Sequence, residues 1–330
     1  MRAYFPTINI LRGIAALFVC LNHFTCYSDF RGSLFPADSA IHRLGESGAN
    51  GVFIFFVISG FVIPLSLIKD RFKPVELHRY LFRRFIRIEI PYIISIFLVL
   101  LTALAFALKN HQPFEFNAER FLYHIFYVIP FSEYEWYNII YWTLAIEFQF
   151  YIVAGIIHFF LSSGNKWIFY AALALFGASA FIFTDNRLVF HYAPIFLQGI
   201  LLMSMKSGKL SSRAGLAFIA LCCIGTAMLF TVEIAAFSAI TVLCILYAEV
   251  NNKVSDRFGA ISYSLYLTHG FIGGNIIYLL SRYISGTSAK LGLVVVAAAA
   301  SLLFAALFWK FIENPARVLS KRIRSHKEQP

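Results

Sequence analysis

Ten apolar stretches, each close to the length that crosses a bilayer, constrain this chain more than any single motif. A transmembrane helix needs about 20 predominantly apolar residues. The windows of this kind are residues 8–27, 51–68, 90–108, 139–161, 167–183, 188–205, 214–230, 234–247, 261–280 and 291–312. They predict an all-α polytopic membrane protein with about ten transmembrane helices. The fifth and sixth windows, and likewise the seventh and eighth, are so close together that each pair could be a single tight helical hairpin.

The composition agrees with a membrane protein. Of the 330 residues, 59% are hydrophobic and 14% are charged, whereas an ordinary soluble domain carries about 25% charged residues. The five cysteines lie in or beside apolar windows without metal-ligand spacing, so they are interpreted as packing residues and no metal is expected. The first window contains Arg12 and lacks a small-residue cleavage site, so we interpret it as a span and not as a signal peptide. Residues 1–330 are predicted to form one transmembrane domain with no appended soluble domain.

The basic residues predict how the bundle is oriented, because cytoplasmic loops collect Lys and Arg. With the N-terminus inside, 20 of the 28 Lys and Arg residues fall in cytoplasmic segments and 7 in outer loops, while Arg12 lies inside the first window. Both termini are therefore predicted to be cytoplasmic. The net charge of +11 follows from this sorting and from the negative potential of the inner leaflet. Membrane lipids are therefore expected partners, and nucleic acid is not.

Two ionisable residues, Arg12 and His23, lie eleven residues apart inside the first window. This spacing is about three helical turns, so both side chains share one helix face and are separated by about 16 Å. Ionisable residues within a span are functional candidates by default. The predicted orientation places Arg12 near the cytoplasmic end and His23 in the outer half, at a depth comparable to that of Glu147. A histidine and a carboxylate at one depth could act as a general base and its orienting partner.

Six short motifs follow one another along the chain. They are Arg12 through His23, residues 51–61 (GVFIFFVISGF), 83–92 (RRFIRIEIPY), 142–151 (WTLAIEFQFY), 261–269 (ISYSLYLTH) and 313–315 (ENP). In this order they resemble the motifs of the integral-membrane acyltransferase-3 family, which includes bacterial polysaccharide and Nod-factor O-acetyltransferases. The chain departs from the family pattern at Phe53, where an acidic residue is frequent, and at Gly270, where proline is common.

The resemblance implies transfer of an acyl group, usually acetyl, from cytoplasmic acyl-CoA to a hydroxyl of a glycan or glycolipid at a bacterial inner membrane. A hydroxyl must lose its proton as it attacks a thioester, and neutral imidazole is well matched to that task at neutral pH. His23 is therefore the candidate base, and Glu147 would fix its tautomer. Larger family members append a soluble extracytoplasmic domain. Only 17 residues follow Glu313, so this chain is expected to act alone or to pass its acyl group to a separate periplasmic protein.

The donor, acetyl-CoA by family default, carries several phosphate charges. Guanidinium groups match phosphate geometry and stay charged in a low-dielectric site. Arg84 and Arg87 are therefore candidates for binding the nucleotide end, and Arg12 for binding phosphate or pantetheine slightly deeper. Ser59 is a candidate contact of the thioester.

Each assignment has a structural alternative. Arg12 could snorkel to the inner interface, and His23 could be a satisfied core histidine. The basic cluster at 83–87 could be a topology signal that contacts lipid headgroups. Ser59 and Gly60 could simply allow close helix approach. Three further histidines are interpreted as packing or interface residues: His158, His191 and His269.

A transporter or flippase of a lipid-linked or anionic solute is the alternative function. Ten spans, buried charges and a basic cytoplasmic mouth would fit it. Transporters often carry Gly- or Pro-broken helices in matching halves, and this sequence has no such symmetry. Acyl transfer is therefore the predicted function. The outer loops 29–49 and 109–138 are expected to set acceptor specificity, although their composition does not identify the acceptor.

Overall fold

The computed structural model describes residues 6–26, 33–250 and 252–323, and all the regular elements in these ranges are helical. The expectation of an all-α protein is confirmed for these residues. The helices are α1 Pro6–Thr25, α2 Ala40–Gly48, α3 Gly51–Lys69, α4 Leu77–Lys109, α5 Ala118–Ile125, α6 Trp142–Leu161, α7 Lys166–Ile182, α8 Ala193–Lys206, α9 Ser212–Leu229, α10 Val232–Tyr247, α11 Lys253–His269, α12 Asn275–Leu280, α13 Thr287–Phe308 and α14 Asn314–Arg322. Two π-helical turns, Gly270–Gly274 and Trp309–Glu313, follow α11 and α13.

Parts of the sequence prediction lie outside the described residues. Residue 27 ends the first apolar window, and residues 29–32 belong to the first outer loop. Residues 1–5 and 324–330 contain the two termini that are predicted to be cytoplasmic.

The described part of every apolar window lies mostly on a helix or on a continuous helical run. Among the described residues, six runs are long and apolar enough to cross a membrane, namely Pro6–Thr25, Ala40–Lys69, Pro74–Lys109, Ile139–Leu161, Ser212–Leu229 and Thr287–Arg322. Helices α7 and α10 are apolar but shorter, and α8 has 14 residues. The chain is therefore a multi-pass membrane protein, and the count of about ten crossings stays a prediction.

The helices nearest the functional residues pack closely because glycine lies at their contacts. Helix α1 packs extensively against α11, and α3 packs against α8. Gly259 of α11 faces the backbone of Asn9, and Gly60 of α3 faces the carbonyl oxygen of Phe196, so an added Cβ would overlap either neighbour. Small residues at such positions let helix backbones approach each other in a bilayer. The alternative interpretation of Gly60 as a packing residue is therefore consistent with the structure.

Large apolar side chains also cover the outside of the bundle. They are prominent on α9 and α13, and include Leu221, Ile224, Met228, Val295 and Leu303, all at least half exposed. An exposed apolar surface of this extent marks a membrane or protein contact. In a multi-pass membrane protein, lipid chains are the natural contact.

Hydrogen bonds join separate segments of the chain that are predicted to lie on the cytoplasmic side. Thr7 Oγ1 donates to the carbonyl oxygen of Ala248 over 2.5 Å. Lys209 Nζ donates to the carbonyl oxygen of Leu161 over 2.7 Å. In the predicted topology, the two ends of each bond lie on the same side of the membrane.

Equivalent bonds join segments that are predicted to lie on the outer side. Lys290 Nζ donates to the carbonyl oxygen of Leu34 over 2.8 Å. Arg187 Nη1 donates to the carbonyl oxygen of Pro130 over 3.1 Å. The Arg187 guanidinium also binds Asp185, and this contact lowers the pKa of the Asp185 carboxyl to about 2.

Candidate active site

A cavity of about 340 Å³ lies among α1, α3, α4, α6, α11 and the π turn that follows α13. Apolar and aromatic side chains form most of its wall, among them Phe55, Ile63 and Tyr266. Four basic side chains and two carboxylates also line it, and they are Arg12, Lys69, Arg84, Arg87, Glu147 and Glu313. With all six groups ionised the wall carries an excess of positive charge, so the cavity is suited to an anionic ligand.

Five of the six residues that the sequence put forward line this one cavity. Arg12 comes from α1, Ser59 from α3, Arg84 and Arg87 from α4, and Glu147 from α6. The fold thus brings together residues that are separated by up to 135 positions in the chain. Their chemical roles stay predictions.

Arg84 is held at the cavity wall by one hydrogen bond and two aromatic rings. Its Nη2 donates to Ser66 Oγ over 2.7 Å. The guanidinium carbon lies 5.5 Å from the ring centre of Tyr80 and 5.4 Å from that of Tyr151. Contacts of this kind are favourable cation–π interactions. Together with the hydrogen bond to Ser66 they hold the planar group in place.

Arg87 lies near further charged groups of the cavity. It interacts electrostatically with Arg84, Arg12 and Glu313, and Glu313 interacts in turn with Arg12. Like charges held close together are unfavourable unless an opposite charge compensates them. The carboxylate of Glu313 supplies part of that compensation, and a phosphate group would supply more.

Glu147 connects α6 to α3 through hydrogen bonds. Its Oε1 accepts one from Tyr151 Oη over 2.6 Å and a longer one from Ser59 Oγ over 3.4 Å. The ring of Tyr151 also contacts Arg84. Ser59 also lines the cavity, while its neighbour Gly60 packs on α8. The contact of Ser59 with the thioester stays a prediction.

His23 lies about 16 Å along α1 from Arg12 and is not among the described residues that line the cavity. A hydrogen-bonding partner of His23 is His269, whereas the sequence suggested Glu147. Nδ1 of His23 lies 3.2 Å from Nε2 of His269, and the two ring centres are 5.0 Å apart. The structure thus pairs the candidate base with a second histidine.

His269 is completely buried at the end of α11. Its Nδ1 lies 3.1 Å from the carbonyl oxygen of Leu265 and 2.8 Å from that of Tyr266. Tyr266 also lines the cavity, and its hydroxyl lies 2.6 Å from Thr143 Oγ1. The histidine pair is therefore one turn of α11 away from the cavity wall.

Sequence reasoning missed two functional candidates, His269 and Glu313. Glu313 Oε2 accepts hydrogen bonds from Ser264 N and Ser264 Oγ over 3.2 and 2.6 Å. His269 directly precedes one π-helical turn and Glu313 is the last residue of the other, and such turns are frequent at functional sites. The available signal was their position in the motifs 261–269 and 313–315. A single sequence does not show that these two motifs lie close together in the fold.

Among the described residues, no group of three or more His, Cys, Asp or Glu side chains is placed to hold a metal ion. The family model described as an acyltransferase domain matches residues 5–310, which include every cavity-lining residue except Glu313. No curated protein and no solved structure gives a significant match to the chain.

Proposed function

Since the chain belongs to the acyltransferase-3 family, as the match over residues 5–310 shows, we propose that it transfers an acyl group from cytoplasmic acyl-CoA to a hydroxyl of a cell-envelope or exported glycan. Family membership makes it a membrane acyltransferase. The acyl-CoA donor, acetyl as the transferred group and the glycan acceptor are the proposal. The observation that supports it best is the cavity in which Arg12, Arg84 and Arg87 come together.

The basic residues support an anionic donor. Arg84 and Arg87 would bind the nucleotide end of acetyl-CoA, and Arg12 would bind phosphate or pantetheine deeper along α1. Guanidinium groups make bidentate bonds to phosphate, and Arg84 is already oriented by Tyr80 and Tyr151. Ser59 would lie beside the pantetheine arm or the thioester. Glu147 would hold Ser59 and Tyr151 in place through the hydrogen bonds described above.

The transfer step needs a base for the acceptor hydroxyl. In the proposed step, the acceptor oxygen attacks the thioester carbonyl carbon, and His23 takes the hydroxyl proton. The carbon–sulfur bond then breaks, the ester forms, and the leaving CoA thiolate takes up the proton that His23 received, which gives the thiol and restores neutral His23. A positioned base contributes about 100- to 10,000-fold to such a reaction.

The proposed location is the bacterial inner membrane, with the donor entering from the cytoplasm and the acceptor reaching the outer half. The excess of Lys and Arg in the predicted cytoplasmic segments supports this orientation. A separate periplasmic protein could receive the acyl group and complete its transfer.

The test uses purified protein, labelled acetyl-CoA, and glycan and lipid extracts. Wild type is expected to release free CoA and to place label in an extract. His23→Ala should lower this transfer by about 100-fold or more, because the variant lacks the base. His158→Ala is the matched control, because His158 is another buried histidine of the bundle whose side chain contacts Ser162.

Near-normal transfer by His23→Ala would remove His23 as the base. A wild-type protein that turns over neither acetyl-CoA nor longer acyl-CoA donors with any extract would contradict acyl transfer. That result would favour translocation of an anionic solute.

A further inference from the structure

We propose that His269 is a positioning residue that fixes the tautomer of His23, so that Nε2 of His23 carries the lone pair that receives the acceptor's proton. This inference rests on the proposed function, because it concerns the same base. It assigns a role to a histidine that sequence analysis interpreted as a packing or interface residue. It also transfers to His269 the orienting role first suggested for Glu147.

The first step of the argument fixes the proton on His269. Its Nδ1 faces the carbonyl oxygens of Leu265 and Tyr266 over 3.1 and 2.8 Å. A backbone carbonyl can only accept a hydrogen bond, so Nδ1 of His269 must carry hydrogen. A neutral imidazole carries one N–H only, and its Nε2 then bears a lone pair.

The neutral form of His269 follows from its surroundings. The side chain is completely buried, and a buried charge needs a paired charge to offset its loss of hydration. The groups bonded to Nδ1 are two neutral carbonyls. The group bonded to Nε2 is His23, which must be neutral to act as a base.

The second step of the argument derives the tautomer of His23 from the tautomer of His269. Nε2 of His269 lies 3.2 Å from Nδ1 of His23. Since Nε2 of His269 accepts, Nδ1 of His23 must donate. The lone pair of a neutral His23 is then on Nε2. The hydrogen bond made by one ring nitrogen commonly selects the tautomer in this way.

The hydrogen bond between His23 and His269 also stabilises the protonated form of His23. When His23 has taken the acceptor's proton, both of its ring nitrogens carry hydrogen. The bond from Nδ1 to His269 then has a charged donor, and hydrogen bonds with a charged partner are stronger than neutral ones. His269 therefore stabilises the imidazolium without having to change its own protonation.

Close packing of the surrounding helices keeps His23 and His269 together. The ring of Phe24 lies 6.0 Å from the ring of His269, and it also faces Gly273, where a Cβ would overlap the Phe24 ring. Gly273 belongs to the π-helical turn Gly270–Gly274 that directly follows His269. The wide turn and the absent side chain thus let α1 and α11 meet at the two histidines.

The kinetic test compares His269→Ala with His269→Gln in the labelled acetyl-CoA assay. His269→Ala should lower kcat by about 100-fold, with the KM for acetyl-CoA unchanged, because the arginines at the cavity remain in place. His269→Gln should recover part of kcat, because its amide oxygen can accept from His23 while its NH₂ group donates. His158→Ala is again the control, with wild-type kcat expected.

A spectroscopic test does not depend on activity. In protein labelled with ¹⁵N in the histidine rings, the His23 resonances, assigned by their loss in His23→Ala, should show the Nδ1–H tautomer. In His269→Ala they should change to a mixture of the two tautomers. A His23 ring protonated on Nε2 in the wild type would overturn the proposal. So would an unchanged kcat in His269→Ala. If the wild type transfers no acyl group at all, the proposed function fails separately, and the tautomer still decides the inference.

Discussion

At the scale of single residues, the cavity depends on side chains that are oriented by one another. Tyr151 donates to Glu147 and places its ring beside Arg84, and Arg84 also donates to Ser66. Each of these groups would cost free energy in a membrane interior if it had no partner. These contacts orient the side chains, so binding an anion would require little further ordering of them.

A substitution of Arg12 tests whether this residue binds the donor. Arg12→Lys keeps one positive charge but loses the planar fork that matches a phosphate. We expect the KM for acetyl-CoA to rise by about 10-fold, which corresponds to about 1.4 kcal/mol, while kcat changes less. Arg43→Lys, at an exposed position of α2, is the control. A KM equal to that of the wild type would favour the alternative in which Arg12 snorkels to the membrane interface.

The residues that sequence reasoning found and those it missed differ in one physical respect. Arg12, Arg87 and Glu147 stand out because a charged residue in or beside an apolar window is costly and needs an explanation. His269 and Glu313 become informative only through contacts with residues 246 and 49 positions away. Such pairings depend on helix packing, which a single sequence does not specify.

At the scale of elements, the contact between α1 and α11 positions both histidines. Helix α1 carries Arg12 and His23, and α11 carries Tyr266 and His269. Close to Arg12, Gly259 of α11 lies against the backbone of Asn9. The distance between these two helices therefore affects the geometry of the histidine pair as well as the stability of the fold.

Gly259→Ala tests this contact. Its added Cβ would overlap the Asn9 backbone, so α1 and α11 must move apart. We expect a loss of about 1–3 kcal/mol, typical of overpacking, seen as a lower Tm in detergent together with a lower kcat. Gly292→Ala in α13 is the matched control, because an added Cβ there meets no atom within 4 Å. Alanine should be neutral or stabilising at that site, since it is the better helix former by about 1 kcal/mol. An equal gain in Tm for both variants would contradict the close contact.

The ends of the helices could not be read from the apolar windows. Helix α11 begins at Lys253, eight residues before its window, because Asn252 Oδ1 accepts from Ser255 N over 2.7 Å and caps the helix there. Helix α4 likewise begins at Leu77, well before its window at residue 90. Hydropathy predicts which residues enter the bilayer, whereas caps and backbone hydrogen bonds decide where a helix starts.

At the scale of the whole molecule, the class and the order of the helices could be predicted because they depend on sums over many residues. An apolar composition and the recurring windows each combine many small contributions, so single exceptions do not change the result. The cavity depends instead on a few contacts among α1, α3, α4, α6 and α11. Several arrangements of the same helices would satisfy the hydropathy pattern equally well.

The orientation of the bundle in the membrane, which is predicted from the charge pattern, decides which donor the cavity can receive. The hydrogen bonds Thr7–Ala248 and Lys209–Leu161 connect segments that are predicted to face the cytoplasm. The cavity is lined by Asn9 and Lys69, which lie near the beginning of α1 and at the end of α3, on the same predicted side. Acyl-CoA can serve as the donor only if this side faces the cytoplasm.

Cysteine labelling in intact cells tests the orientation. Ser207 lies in an exposed loop predicted to be cytoplasmic, and Glu115 in an exposed loop predicted to be outside. The reagent is a maleimide that does not cross the inner membrane, added to cells whose outer membrane has been permeabilised. We expect Glu115→Cys to react under these conditions and Ser207→Cys to react only after lysis. The unsubstituted protein, with its five free cysteines, gives the background. If Ser207→Cys reacts first, the bundle is inverted relative to the charge-based prediction. The arginine-lined cavity would then open away from the cytoplasm, and the donor would have to be an anionic molecule from the outer side.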